Sequence, residues 1–104
     1  MYIVILITTK DAKQAQKIAD GLLKDKLVAC ANIIGGVRSL FWWAGKIDSA
    51  KEVLLILKTK KTLFNKAAAK VKLLHSYQTP EIIALPIVAG SEDYLKWISV
   101  SVKT

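Results

Sequence analysis

Few side chains in this sequence could do chemistry, and its one histidine is the first to consider. His75 ends a predicted helix and lies six residues before Glu81. Imidazole and carboxylate together suit Cu(II) or Zn(II), so the pair is a candidate for part of a metal site. A closed metal site usually has four ligands, so several copies of the chain would have to share one. In the structural alternative, His75 caps the last helical carbonyls, and Glu81 accepts backbone hydrogen bonds or pairs with a lysine.

The single cysteine, Cys30, lies in an apolar segment between Ala29 and Ala31. A free cysteine in such surroundings is commonly a small buried filler. The functional alternative is a copper ligand or redox thiol, which requires exposure and an activating neighbour. Because one cysteine cannot form an internal disulfide, we expect the protein to work in the reducing cytoplasm.

No motif for catalysis is visible. The sequence has no glycine-rich phosphate loop, no nucleophile with a plausible base and no paired carboxylates at a useful spacing. We therefore predict a protein without enzymatic activity.

The charge balance is strongly basic, with a formal net charge of +8, but Arg38 is the only arginine among the sixteen basic residues. Specific readers of phosphate and bases favour arginine, so the lysine excess indicates a solubilising surface first. Between Val53 and Pro80 there is no acid, and six lysines occur there: Lys58, Lys60, Lys61, Lys66, Lys70 and Lys72. This run leaves nucleic-acid binding as a third-ranked alternative, which the absence of arginine clusters disfavours.

The elements that must position these residues fit one domain, residues 1–104. In the segment Tyr2–Thr8 both sets of alternating residues are apolar, which predicts a strand buried on both faces. Asp11 is a plausible N-cap with Gln14 as its capping-box partner, and a helix follows as far as Leu23.

The rest of the chain continues this pattern of short strands and helices. Gly35-Gly36 either turns a hairpin or bends one strand at a bulge, and the residues leave both open. Pro86 demands an edge or bulge position. The predicted elements are strands at 27–34, 37–43, 52–58 and 81–88, a connection at 44–51, a helix capped by Thr62 and ending near His75, and a short C-terminal helix from Gly90 whose tail, 98–102, alternates like a strand.

Hydrophobic residues make up 53% of the chain, which is high for a small domain. A membrane span needs about 20 consecutive apolar residues, and the longest run, Ile3–Ile7, is far shorter. The N-terminus shows no basic segment followed by a cleavable apolar one, so we expect no secretory signal. The apolar excess is then best explained by contact between copies of the chain.

The order βαββαβ with an added short helix predicts an α+β fold of ferredoxin-like type. In that topology two helices cover one face of the sheet and leave the other bare. Because several predicted strands are apolar on both faces, the bare face is predicted to be an oligomer interface.

Several segments in the same order and spacing resemble the CutA family of divalent-cation tolerance proteins. They are Leu27–Ile33, Trp42–Ile47, Leu57–Thr59, His75–Ile82, Leu85–Ile87 and Tyr94–Ile98. The resemblance covers essentially the whole chain. It implies a ferredoxin-like fold related to PII signalling proteins, a tight homotrimer, and one long bent strand through Gly35-Gly36.

The resemblance also implies a role in copper tolerance, as a metal-response protein that binds Cu(II) or another divalent cation weakly. PII-like trimers bind effectors between subunits, and the residues suggested for such a cleft here are Lys46, Lys58, Tyr77 and Trp43. Packing in a sheet and an interface is the favoured interpretation of Trp43 and its aromatic neighbours, ahead of stacking on a base or cofactor. The second-ranked function is therefore a structural or signalling trimer that binds an anion or a protein partner and no physiological metal.

Three departures from the family pattern weaken the metal interpretation. Ala44 stands where the family usually has an acid, and Ser76 replaces the usual proline after the histidine. Ile7 occupies the position of a first-strand cysteine that has been proposed as a copper ligand in some members.

Overall fold

The computed structural model describes all residues from 1 to 104 and contains four strands and three helices. In chain order they are β1 (Tyr2–Thr9), α1 (Ala12–Lys24), β2 (Cys30–Trp43), β3 (Lys46–Lys60), a 3₁₀ turn (Lys61–Leu63), α2 (Phe64–Leu74), β4 (Ile82–Pro86) and α3 (Glu92–Ser101). The predicted order βαββαβ with an added helix is confirmed. None of the helices is long and apolar enough to cross a membrane.

The strands form one antiparallel sheet in the order β2-β3-β1-β4. This is the ferredoxin-like arrangement, with β1 between β3 and β4. Ile5, for example, lies opposite Leu57 on one side and Ala84 on the other. β4 is an edge strand, so Pro86 lies where a missing backbone donor is tolerated, as predicted.

The core lies between one face of the sheet and the helices α1 and α2. Alternate residues of β1 and β3, such as Ile5 and Leu57, are fully buried against the apolar stripe of α1. α1 and α2 approach so closely that a Cβ on Gly21 would lie 2.7 Å from Cδ1 of Leu74. This close approach accounts for a glycine inside a helix.

The predicted connection at 44–51 is wrong. β3 begins at Lys46, and a tight turn at Ala44 and Gly45, both with positive φ, joins it to β2. β2 is one strand of 14 residues, and the register shifts between Ile34 and Val37. The interpretation of Gly35-Gly36 as a bulge, which the family resemblance implied, is therefore confirmed.

The predicted helix ends need smaller corrections. The Asp11 carboxylate accepts a hydrogen bond from the Gln14 backbone N–H at 2.8 Å, as expected of an N-cap. Thr62, in contrast, lies inside the 3₁₀ turn and caps no helix. The alternating tail from Ile98 is helical as far as Ser101, and β4 is shorter than predicted.

The second face of the sheet is only partly covered. α3 packs across one end of it, where Ile98 is fully buried and the hydroxyls of Tyr2 and Ser99 share a hydrogen bond of 2.7 Å. Beyond α3 this face leaves Ile34, Leu85 and other apolar side chains exposed. We call it the open face.

Candidate functional site

His75, the first predicted ligand, forms the C-cap of α2 and is only 9% exposed. Its Nδ1 accepts a hydrogen bond from the backbone N–H of Tyr77 at 3.0 Å, and its Nε2 lies 2.8 Å from the carbonyl oxygen of Thr8. Since a carbonyl can only accept, Nε2 carries the proton and Nδ1 the lone pair. Both ring nitrogens are engaged, so a metal can reach either only if a hydrogen bond is broken.

The hydrogen bonds of His75 differ from the alternative weighed for it. The ring does not cap the carbonyls of its own helix; it ties the end of α2 to β1. The side chain of Gln14 holds the same loop, because it donates to the carbonyl of Leu74 at 3.3 Å and accepts from the N–H of Ser76 at 2.6 Å. Gln14 is therefore a loop anchor and not the capping-box partner that its spacing suggested.

Tyr77 continues this network into the base of the β2–β3 hairpin. Its hydroxyl donates to Oε2 of Glu52 at 2.8 Å, and its ring lies 4.7 Å from that of His75. Burial, and then the bond to Glu52, raise the pKa of Tyr77 to about 12. Glu52 is only 9% exposed, and no lysine or arginine pairs with it. No motif in the sequence pointed to Glu52, which lies among polar and apolar strand residues.

Glu81, the second predicted ligand, is exposed in the segment just before β4. Nowhere does the chain bring together three His, Cys, Asp or Glu side chains in a group that could hold a metal ion. A metal bound with a full set of protein ligands would therefore have to take them from more than one copy.

Cys30, the third candidate ligand, is half-buried at the start of β2, opposite Lys58 of β3. The Lys58 ammonium lies 4.0 Å from the Cys30 sulfur and also donates to the side-chain oxygen of Asn32. Tyr94 of α3 is a further neighbour: burial, and then Cys30, raise the pKa of its hydroxyl. An ammonium beside the sulfur disfavours a cation at this position.

The four residues suggested for a cleft do not meet within one chain. Trp43 and Lys46 lie opposite each other at the tip of the hairpin. Lys58 lies twelve residues further along the same strand, which is about 40 Å at the rise of a β-strand. Tyr77 lies between these ends, beside Glu52. A cleft that contains all four residues therefore needs more than one copy.

The lysine run is also divided. Lys58 and Lys60 occupy the alternate positions of β3 that lie on the open face. Lys66 and Lys72, in contrast, are exposed on α2, on the opposite side of the sheet. Lys70 pairs with Asp25 at 3.0 Å. The run does not form one basic patch, which is the arrangement a nucleic-acid backbone requires.

Comparison with known proteins gives consistent matches over the whole chain. Residues 3–101 match the family described as CutA1 divalent ion tolerance protein. The solved structure of the periplasmic divalent cation tolerance protein CutA from Archaeoglobus fulgidus is 43% identical, with a TM-score of 0.96 and coverage of 99% of this chain and 100% of that one. The divalent cation tolerance protein from Thermus thermophilus is 40% identical, with a TM-score of 0.97 and the same coverage.

A plant relative is longer than this chain. The chloroplastic protein CutA 1 of Oryza sativa subsp. japonica is 39% identical over 101 residues, which are 97% of this chain. The chain spans 57% of the length of that relative.

Proposed function

Because the chain belongs to the CutA1 divalent ion tolerance family, we propose that it works as a non-catalytic homotrimer in the cytoplasm and binds Cu(II) or another divalent cation between subunits. The proposal has two parts that depend on different observations. The assembly is supported by the exposed apolar side chains, and the metal by the family to which the chain belongs.

The observation that carries the proposal is the apolar surface that one chain leaves uncovered. Trp42 is 74% exposed and Ile47 is 65% exposed, and both lie on the hairpin far from the core. On the open face, Ile34, Ile83 and Leu85 are exposed as well. Large apolar side chains exposed in such numbers mark a protein–protein interface, and closed symmetric assembly of one chain is the common way to bury them.

One chain lacks a complete set of metal ligands, which is consistent with a metal site shared between subunits. One chain has a single histidine and no group of three ligands, so a trimer would contribute up to three copies of each candidate. His75 and Glu81 remain the residues we propose as ligands. To bind a metal through Nδ1, His75 must lose the hydrogen bond that Nδ1 accepts from the backbone N–H of Tyr77. Cys30 is a weaker candidate because Lys58 lies beside it.

Native mass spectrometry with and without about one to three equivalents of Cu(II) tests both parts together. The expected result is a species of three times 11.5 kDa that takes up discrete copper ions. A monomer at micromolar protomer concentration would contradict the assembly. A trimer that stays free of copper would contradict the metal part alone.

Two variants assign the ligands. His75→Ala removes the ring but also the hydrogen bond to Thr8, so its folding must be checked by circular dichroism. Glu81→Gln is the cleaner variant because Glu81 is exposed, and Glu92→Gln, an exposed acid on α3, is its control. Copper uptake should fall in the first two variants and persist in the control. Equal uptake in all three would rule out the proposed ligands.

One observation favours the trimer without a physiological metal as second candidate. Both nitrogens of His75 are already hydrogen-bonded, and an ammonium lies beside the only thiol. A copper-free trimer in the mass spectrum would select this function.

A further inference from the structure

The glycine bulge of β2 forms one wall of a concave pocket of about 420 Å³. Gly36 lies on its β2 side, with Arg38 two residues further along the strand. Lys51 and Glu52 line it from β3, and Lys10 from the end of β1. None of the predicted site residues lines this pocket, although Glu52 links it to Tyr77.

The pocket collects positive charge that no ion pair within the chain neutralises. Arg38 lies directly opposite Lys51 in the β2–β3 register, and like charges at opposed positions destabilise a strand pair. Lys10 adds a third cation. The only ion pair in the chain joins Lys70 to Asp25, so none of the three cations has a carboxylate partner.

The one acid in the pocket is already engaged. Glu52 is buried, and its Oε2 accepts the hydroxyl hydrogen bond of Tyr77. The pocket therefore presents three cationic side chains and one carboxylate, which already accepts a hydrogen bond from Tyr77.

The residue types around the pocket suit a tetrahedral oxyanion. Arg38 is the only arginine of the chain, and its guanidinium matches two oxygens of a phosphate at once. Gly36 has φ +74°, and a Cβ built on it would meet no atom within 4 Å. Glycine is therefore required by the backbone conformation of the bulge and not by packing. Because it has no side chain, it also leaves this side of the pocket open to a ligand.

We propose that the pocket formed by Lys10, Gly36, Arg38 and Lys51 is a binding site for a phosphate-type oxyanion, carried by a small molecule or free in solution. The anion relieves the repulsion between Arg38 and Lys51 and lies against the surface of the two strands where the hairpin leaves the sheet. The site is independent of the metal function, because no candidate metal ligand takes part in it.

The test is an NMR titration of the metal-free protein with inorganic phosphate at constant ionic strength. The amide signals of Gly36 and Val37 are expected to shift in a saturable way, and sodium chloride at the same ionic strength should not reproduce the shift. Arg38→Gln and Lys51→Gln should each weaken the fitted affinity by about tenfold or more, as for a lost charged hydrogen bond. Lys66→Gln, with the same charge change on α2, is the matched control and should leave it unaltered.

Three results would overturn the proposal. One is a non-saturable shift that chloride reproduces, and another is an equal loss of affinity in Lys66→Gln, since both indicate general charge screening. The third is that Arg38→Gln changes the sedimentation coefficient while phosphate gives no saturable shift, which would mean that the cations pair with acids of a second copy. Methyl phosphate as a second probe distinguishes an ester from the free ion, since only a site open to solvent accepts the methyl group.

Discussion

The molecule has two regions that use the same kind of sequence in opposite ways. In the head, where α1 and α2 cover the sheet, sixteen residues form one buried apolar cluster. In the arm, the hairpin from Val37 to Glu52 beyond the bulge, every residue from 40 to 49 is exposed. The arm nevertheless carries Phe41, Trp42 and Ile47, which are as apolar as the residues of the core.

The difference shows where each region obtains its stability. The head buries the apolar residues of its helix-covered side within one chain, whereas its open face leaves Ile83 and Leu85 exposed. An isolated two-stranded hairpin has only marginal stability in water. The arm is held by the pairing of its two strands, and its aromatic rings are exposed instead of buried. The apolar residues of the arm are explained if other copies of the chain bury them, as in the trimer proposed above.

The largest effect is expected in the head. Leu57 is fully buried in the core and lies opposite Ile5 of the central strand. Leu57→Ala should lower the free energy of unfolding by about 2–5 kcal/mol, because it removes buried methyl groups and leaves a cavity. Denaturant unfolding at fixed protomer concentration measures this. A loss below about 1 kcal/mol would show that the head does not depend on its core as described.

The next effect separates the arm from the head. Trp42→Ser should leave the far-ultraviolet circular dichroism unchanged but weaken association by about 2 kcal/mol or more, as for a central interface tryptophan. Sedimentation velocity over a dilution series measures it. Ser49→Ala, on the opposite strand of the same arm, is the control and should still sediment as a trimer. Unchanged sedimentation of Trp42→Ser would mean that the arm is not covered by another copy.

The sequence predicted the head better than the arm, for a physical reason. Buried elements leave a pattern, such as the double alternation of Tyr2–Thr8 and the helical spacing after Asp11, and the strand and the helix are both confirmed. Only one face of that strand is fully buried within the chain, however, and the other is half-buried. The segment 46–51 is largely exposed on both faces, so no burial selects apolar residues there and it resembles a connection. Its strand identity comes from pairing with β2, which is not local information.

The candidate site was harder to predict than the fold. The sequence identified His75 correctly as a residue that ends a helix, but its partners Thr8 and Tyr77 are fixed only by the tertiary structure. Glu52 was missed because a lone acid in a strand has no sequence signature. The roles of His75 and Glu81 in metal binding stay predictions.

The junction between arm and head gives a third prediction. Tyr77→Phe removes the hydroxyl that donates to Glu52 and leaves a buried carboxylate without that donor. The free energy of unfolding should fall by about 1–3 kcal/mol. The double variant Tyr77→Phe with Glu52→Gln tests the coupling and should cost less than the two single changes together. Additive losses would show that the hydrogen bond contributes nothing of its own.

A smaller effect is expected at alkaline pH. The pKa of Tyr77 is about 12 in the folded protein against 10.0 for an unperturbed tyrosine, so the unfolded chain loses this proton more readily. Its stabilising contribution is therefore complete below pH 10 and is lost as the pH rises towards 12. The difference in unfolding free energy between the wild type and Tyr77→Phe should narrow over this interval. A constant difference would contradict the raised pKa.

The smallest effect is expected for Gly21→Ala in the head, where a gain in helix propensity opposes a steric clash. Alanine gains up to about 1 kcal/mol of helix propensity, but its Cβ would lie 2.7 Å from the Leu74 methyl, which must turn aside. Gly21→Ala should therefore change the free energy of unfolding by less than about 1 kcal/mol, whereas Gly21→Leu should destabilise by about 1–3 kcal/mol through overpacking. Gly36→Ala is the contrast in the bulge: nothing crowds its Cβ, so its cost of about 1–2 kcal/mol comes from φ +74° alone. If Gly21→Leu were as mild as Gly21→Ala, α1 and α2 would not pack as tightly as the head requires.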